Sequence, residues 1–369
     1  MHYLDYNATA PIRPEALEAM RELQAMPLNA SSIHALGRKA KSVLHQARSV
    51  IAETIGVFPA EVTFTASGSE ANNWVIRAFS DRAILAGATE HASILATAQR
   101  VASPLLIPVS SAGLIEMEAL ERMMTELEGN PFLVSVMLAN NETGIIQPID
   151  DIAALVHRYG GVLHTDAVQA LGKITLDFNA LGCDLMTVAA HKMGGAVGAA
   201  ALIAKNTITF PPLLTGGGQE NRQRAGTENI PAIAAFARAV ECMDITAMQR
   251  LQGWRDAMEA QIIAEGGEII GKDAPRLPNT SCILMPGVTA ETQLIHCDLA
   301  HIAVSSGSAC SSGRVEPSHV LKAMGVPAEQ IATAVRVSSG WATREEEVHH
   351  FTASWKQLAN RIMKSIPLT

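Results

Sequence analysis

Three stretches of this chain end a run of β-forming residues with groups that can do chemistry. GVLHTD closes on Asp166, with Gln169 three residues on; CDLMTVAA is followed by His191, Lys192 and two glycines; EVTFTA is followed by SGSEANN. A lysine at a strand end, among small residues, is oddly placed for a surface charge. A half-buried amine lowers its pKa readily, and in that state it can form a Schiff base. In SGSEANN, Ser67 and Glu70 are spaced as a capping box on a helix N-terminus. Such an end offers free backbone N–H groups and a positive dipole end, Gly68 allows close approach and Ser69 adds a hydroxyl, so the stretch suits a phosphate. Each piece alone has a plainer reading. SGSE can be an ordinary cap, Lys192 a solvated lysine, Asp166 a satisfied turn aspartate, and His91 in ATEHAS or His164 a core histidine. A fourth stretch, SSGSACSSG, sets Cys310 between two runs of small residues, without the apolar neighbours of a structural cysteine or the partner spacing of a metal ligand. A flexible loop and a mobile nucleophile both fit it.

Taken together, a phosphate seat, a strand-end acid and a strand-end amine are the parts that pyridoxal 5′-phosphate needs. The amine takes the aldehyde, the carboxylate keeps the pyridine nitrogen protonated, and an imidazole such as His91 can stack on the ring. No G-x-G-x-x-G or P-loop competes for the site.

The elements that must hold these groups alternate along the first two-thirds of the chain. ALEAMRELQAM and GRKAKSVLHQARSVIAETIG read as helices, the second ending at Gly56 as a C-cap would. EVTFTA, RAILAG, PFLVSVMLA, GVLHTD and CDLMTVAA read as buried strands. This alternation predicts a largely parallel sheet with helices on both faces, whose ligands sit beyond the carboxyl ends of the strands. The glycine-rich PPLLTGGG then breaks the pattern, and one long helical region is expected from Ile230 to about Ile263. A second set follows: TSCILMPG, the run around HIAVSS, and a helix in PSHVLKAMG opened by Pro317.

Composition sets the context. The 369 residues, 48% hydrophobic and 17% charged, are enough for about two domains. Five scattered cysteines without a C-x-x-C pair suit a reducing compartment and give no zinc site. The net charge of −8 is spread out, which argues against a nucleic-acid or anionic-membrane partner. The N-terminus has no signal-peptide pattern. The longest small and apolar stretch, Met193 to Ala204, is well short of the roughly 20 residues of a membrane helix. The expectation is a cytoplasmic protein.

From end to end the sequence resembles the cysteine desulfurases of the class V aminotransferase superfamily, in the group with a long catalytic loop that serves nitrogenase and general iron–sulfur clusters. The matching stretches are LDYNATAP, NASSIHALGRKA, FTASGSEANN, TEHASI, NNETGIIQPI, HTDAVQALGK, AAHKMGG, GGGQENRQRAGTEN and SSGSACSSGRVEPSHVLKAMG. The resemblance implies an α/β fold, the pyridoxal-phosphate-dependent transferase fold type I. In it a large domain, residues 14–247, holds a mainly parallel seven-stranded sheet between helices. A smaller α/β domain, residues 1–13 and 248–369, carries the catalytic cysteine loop at about 305–316. Lys192 would hold the cofactor, Asp166 would pair with the ring nitrogen, and Gln169 would hydrogen-bond the ring hydroxyl. His91 would stack on the ring and help to move protons, and Asn141 would reach both ring hydroxyl and substrate. Gly68, Ser69 and His191 would bind phosphate, with Thr227 reaching across from the other subunit of a homodimer. Arg336 would clamp the substrate carboxylate. Cys310 would take sulfur from L-cysteine, leaving L-alanine, hold it as a persulfide, and pass it to an acceptor or iron–sulfur scaffold protein. No resident metal is implied, although a transferred iron–sulfur cluster would meet Cys310. Glycines and serines lower the cost of the backbone changes that such travel requires.

The chain departs from the family pattern in two places. Ala189 stands where a hydroxyl residue usually helps to bind phosphate, and GGAVG replaces the usual GGPKG. Three other activities fit parts of the same reading. A selenocysteine lyase would use the same pocket, an ordinary aminotransferase or decarboxylase needs no loop cysteine, and an inactive paralogue would act only as a binding partner.

Overall fold

A computed structural model describes residues 1–306 and 317–363. Cys310 and the rest of its loop lie outside the described residues. The strands are, in chain order, β1 (His2–Tyr3), β2 (Val62–Thr65), β3 (Ala83–Gly87), β4 (Leu105–Ile107), β5 (Phe132–Ser135), β6 (Val162–Asp166), β7 (Leu185–Ala189), β8 (Ala200–Ala204), β9 (Glu268–Ile269), β10 (Thr280–Leu284), β11 (Ile302–Ala303), β12 (Ser305–Ser306) and β13 (Ala334–Ser338). Seven of them form one sheet in the order β2-β8-β7-β6-β5-β3-β4. Their continuous apolar runs are buried on both faces, as a helix-covered parallel sheet requires. Strand β8 pairs antiparallel with both neighbours, so it alone runs against the other six.

The five strands expected for this sheet are present, and its other two come from segments not read as strands. The stretch from Met193 to Ala204 turns out to end in β8, and β4 lies at the sheet edge with Leu105 and Leu106 exposed. Helices α1 (Pro14–Gln24) and α2 (Ala35–Ile55) pack against the helix Ile230–Glu241. Helix α2 ends at Gly56, which takes the left-handed conformation (φ 75°, ψ 35°) that favours glycine there. The long helical region after the glycine-rich loop is two helices, not one. It stops at Glu241 and restarts at Ile245, because the Asp244 side chain accepts a hydrogen bond from Ala247 N–H and caps a new helix.

The C-terminal part builds a four-stranded antiparallel sheet, β12-β13-β10-β9. The helices Ile245–Ala264 and Glu345–Met363 pack against each other, and a separate buried cluster around Met258, Ile283, Phe351 and Trp355 forms the core there. The N-terminus joins this part, not the large sheet: β1 pairs with β11, and Ser338 N–H donates to the Leu4 carbonyl at 2.8 Å. The run HIAVSS is two short strands in two sheets, β11 against β1 and β12 against β13, so the chain changes sheets at Val304. The helix after the loop is His319–Ala323. Its cap is Ser318, which accepts from Leu321 N–H, so Pro317 stands before the cap instead of inside the first turn. No helix among the described residues is long and apolar enough to cross a membrane.

Candidate active site

One cavity of about 320 Å³ opens at the carboxyl ends of β2, β3, β5, β6 and β7, within the range of small-molecule sites. Lys192, Asp166, Gln169, His91, Asn141, Gly68, Ser69, His191 and Arg336 all line it. Of the other two expected residues, one does not line it and one cannot be placed. Thr227 is exposed and away from the cavity of its own chain, and Cys310 is outside the described residues.

Helix α3 (Gly68–Ala78) begins at the cavity, with Ser67 as its cap. The Ser67 hydroxyl accepts from Glu70 N–H at 3.1 Å. The expected capping box is only half made, because Glu70 reaches back to Ala66 N–H at 3.0 Å and also binds Arg224 through both oxygens. Gly68 is required by packing: a Cβ there would meet Val168 Cγ2 at 2.9 Å. Val168 also lines the cavity, so any side chain at 68 would push the cavity wall inward. Of the two departures from the family pattern, Ala189 faces the cavity with only a methyl group, and Val197 of GGAVG is 76% exposed.

Asp166 is the last residue of β6. Its Oδ1 accepts from Val168 N–H at 2.9 Å, and its Oδ2 accepts from Asn72 Nδ2 at 2.7 Å. Asn72 donates its other hydrogen to Ser93 Oγ, and Ser93 N–H donates to His91 Nδ1 at 3.1 Å. That bond leaves the His91 ring proton on Nε2, and it also caps helix α4 (Ala92–Val101). Asn72 thus ties the aspartate to the imidazole, a link between residues far apart in sequence that no spacing reveals. His164 is the core histidine of the plainer reading. It is fully buried between Ser135 Oγ and Thr187 Oγ1, and burial pushes its pKa down to about 3.

Lys192 follows β7 and donates to the Asn7 carbonyl at 2.6 Å and the Ala8 carbonyl at 2.8 Å. Beside it, burial and then the charges of Lys192 and Lys173 push His191 down to about 4. His191 is therefore neutral at pH 7 and would meet an anion as a hydrogen-bond donor. Asn7 is a residue the motif reading left without a role. Its backbone N–H donates to Ser338 Oγ, and its side-chain amide donates to Thr280 Oγ1 and the Asn141 carbonyl. It therefore joins strands of the C-terminal sheet to loops of the large one.

Arg336 lies in β13, only 3% exposed. It pairs with Asp5 at 2.7 Å and donates to the Asn141 carbonyl at 3.1 Å. Its Nε is buried and has no hydrogen-bond partner among the described residues, while the residue lines the cavity, where a planar guanidinium suits a carboxylate. Ser305 sits directly opposite Arg336 in the sheet, so the chain enters the Cys310 loop beside this guanidinium.

Glu142, from the same NNETG stretch as Asn141, accepts from Ser318 Oγ at 2.5 Å and is buried. Burial raises it from 4.5 to about 7, against the smaller lowering effects of the Ser318 bond, Arg336 and His91. The folded chain thus holds this proton more tightly than the unfolded one. Its contribution is full below about pH 4.5 and is lost as pH rises towards 7, by about 3 kcal/mol. Glu142→Gln is expected to remove that slope from urea-denaturation stabilities measured between pH 5 and 7. An unchanged slope would take the titration away from Glu142.

An amine, a carboxylate and a helix N-terminus at the strand ends of this mixed sheet define a type I pyridoxal-phosphate transferase architecture. The family model described as aminotransferase class-V matches residues 2–351, and the chain belongs to that family. A cysteine desulfurase from Cereibacter sphaeroides is 40% identical, over 93% of this chain and 92% of the relative. Among solved structures, a NifS-like protein from Rickettsia africae superposes with a TM-score of 0.91 at 34% identity, covering 97% of this chain and 99% of its own. A structure described as SspA in complex with cysteine gives 0.81 at 28%, covering 91% and 98%.

Proposed function

We propose that the chain is a pyridoxal-phosphate-dependent cysteine desulfurase. It converts L-cysteine to L-alanine, takes the sulfur on Cys310 as a persulfide, and passes it to an acceptor protein for iron–sulfur clusters or other sulfur-containing cofactors. The observation that carries this reading is the one cavity that joins Lys192, Asp166 and the α3 N-terminus to the buried Arg336. The residues present fit the cofactor: the cavity is of the right size, Gly68 keeps its wall back, and the buried Asn72 Oδ1 still has no partner among the described residues.

Lys192 would hold the cofactor's aldehyde carbon, Asp166 its ring nitrogen, Gln169 and Asn141 its hydroxyl, and Gly68, Ser69 and His191 its phosphate. When bound, the cofactor supplies an electron sink next to the substrate's α carbon. Arg336 fixes the substrate carboxylate, with Asp5 holding the guanidinium in place. Lys192 Nζ and His91 Nε2 move protons at the substrate carbons. The Cys310 thiolate attacks the substrate sulfur; an S–S bond forms, the C–S bond breaks, and its electron pair stays with carbon, which is protonated to give alanine. The four described cysteines are poor alternatives. Burial pushes Cys183 and Cys282 up to about 12 and Cys297 to about 11, and none of the four lines the cavity.

A homodimer completes the site in this reading, because the exposed Thr227 serves a second copy. The exposed Ile33, Leu36 and Val197 support that interface. The division into residues 14–247 and a unit of 1–13 with 248–369 is part of the same proposal, supported by the separate core around Phe351 and by the pairing of β1 with β11.

Arg336→Lys tests the substrate reading. The lysine keeps the charge and loses the planar fork. KM for L-cysteine is expected to rise about tenfold or more, with the cofactor spectrum intact. Unchanged cysteine kinetics would remove Arg336 from the site.

A further inference from the structure

Lys173 is a buried amine seven residues after Asp166, and the chemistry above leaves it without a task. Its Nζ donates to Asn7 Oδ1 at 2.7 Å and to Gln169 Oε1. Both acceptors are neutral amide oxygens. Burial, and next to it the charges of Lys192 and Arg336, hold its pKa well below the usual lysine range. A residue kept in so unfavourable a place for an amine invites a reason beyond packing, since a methionine of similar length would fill the space without the desolvation cost.

The hydrogen bonds supply one. Gln169 Nε2 donates to the Asn7 carbonyl at 3.0 Å, the same oxygen that receives Lys192 Nζ. Lys173 and the Asn7 carbonyl therefore grip opposite ends of one amide. Turning that amide over would set its oxygen against the Asn7 carbonyl and its NH₂ against the Lys173 amine. The bond to the Asn7 carbonyl would be lost and two oxygens would face each other in a buried site, at a cost well above thermal energy. The amide is thus locked with Nε2 as the donor, and its second hydrogen is available to a ligand in the cavity that Gln169 lines.

We propose that Lys173 is a positioning residue that fixes the Gln169 amide so that it can only donate to the cofactor's ring hydroxyl oxygen. This rests on the proposal that Gln169 meets that hydroxyl. A donor there favours the oxygen in its deprotonated form. Lys173 touches neither substrate nor cofactor in this account and acts through Gln169 and Asn7.

The test is equilibrium binding to cofactor-free protein of pyridoxal phosphate and of 3-deoxypyridoxal phosphate, which lacks only the ring hydroxyl. Wild type is expected to prefer the hydroxylated cofactor by about tenfold. In Lys173→Met that preference should fall to near unity, while affinity for the deoxy analogue stays unchanged. Gln169→Met should lose the same preference, and Lys173→Met added to it should lose nothing more. Should Lys173→Met fail to fold, Lys173→Leu, which donates nothing to Gln169, is expected to give the same loss. A purely structural role would weaken both ligands equally and leave the ratio intact, which would overturn the inference. A Lys173 effect that persists in the Gln169→Met background would also overturn it. Wild type that fails to distinguish the two cofactors would instead overturn the ring-hydroxyl reading of Gln169, and this inference with it.

Discussion

Lys192→Ala yields colourless protein, or protein whose colour is lost on dialysis, and turnover of L-cysteine falls by about a thousandfold or more. Alanine removes two functions at once, the covalent hold on the cofactor and the amine that moves a proton at the substrate. Proton transfer by a placed group alone is worth roughly 10²–10⁴ in rate, so the combined loss exceeds that of any cavity residue that only binds. The loss is chemical and not a collapse of the fold. Lys192 sits after β7 with its amine on the backbone carbonyls of Asn7 and Ala8, and it is half-buried at the cavity instead of belonging to the buried apolar core. The checks are the absorbance of the purified variant, borohydride reduction followed by peptide mapping, and a melting temperature close to wild type. A variant that keeps a borohydride-reducible link to the cofactor would show that another lysine carries it. Lys173, a buried amine that shares Asn7 with Lys192, is the one to map first.

Cys310→Ser separates binding from sulfur transfer. The substitution changes one atom, so folding, dimerisation and the yellow colour should persist. Addition of L-cysteine should still perturb the cofactor spectrum, because that step calls on Lys192 and Arg336 and not on the loop. Sulfide release and alanine formation should drop to background, since a serine hydroxyl cannot accept and carry the sulfur. Cys183 and Cys282 are poor substitutes, because both are buried and burial pushes their thiols up to about 12. Wild-type rates in the variant would displace the persulfide reading in favour of a lyase that needs no loop thiol.

The strand ends were the most legible part of this chain. In an open α/β sheet, chemistry collects beyond the carboxyl ends of buried strands, and those strands announce themselves as short runs of Val, Ile, Leu and Thr. Asp166, Lys192 and the SGSE turn could therefore be picked out before any resemblance was invoked, and the resemblance added roles that residue types alone left open. Strand β8 was hidden because AALIA, small and mostly alanine, lacks the β-branched signature, and its reversed direction follows from pairing partners, not from composition. The break at Asp244 was hidden inside continuous helical patterning, although an aspartate three residues before Ala247 is an ordinary cap signal. The polar network was the least legible. Asn7 bonds to Gln169, Lys173, Lys192, Thr280 and Ser338, partners more than a hundred residues away, and Glu142 meets Ser318 across a similar gap. Such contacts are set by tertiary closure and leave no spacing to read.

The central claim is that this chain moves sulfur from cysteine onto one of its own thiols. The most direct measurement is a single exposure of cofactor-loaded wild-type protein to L-cysteine without reductant, with alanine quantified and the protein mapped by peptide mass spectrometry. The account predicts alanine in step with the gain of one sulfur atom on the peptide that contains Cys310, and no gain on the peptides of Cys183, Cys242, Cys282 or Cys297. Alanine and free sulfide with no sulfur left on the protein, or sulfur on a different cysteine, would contradict it.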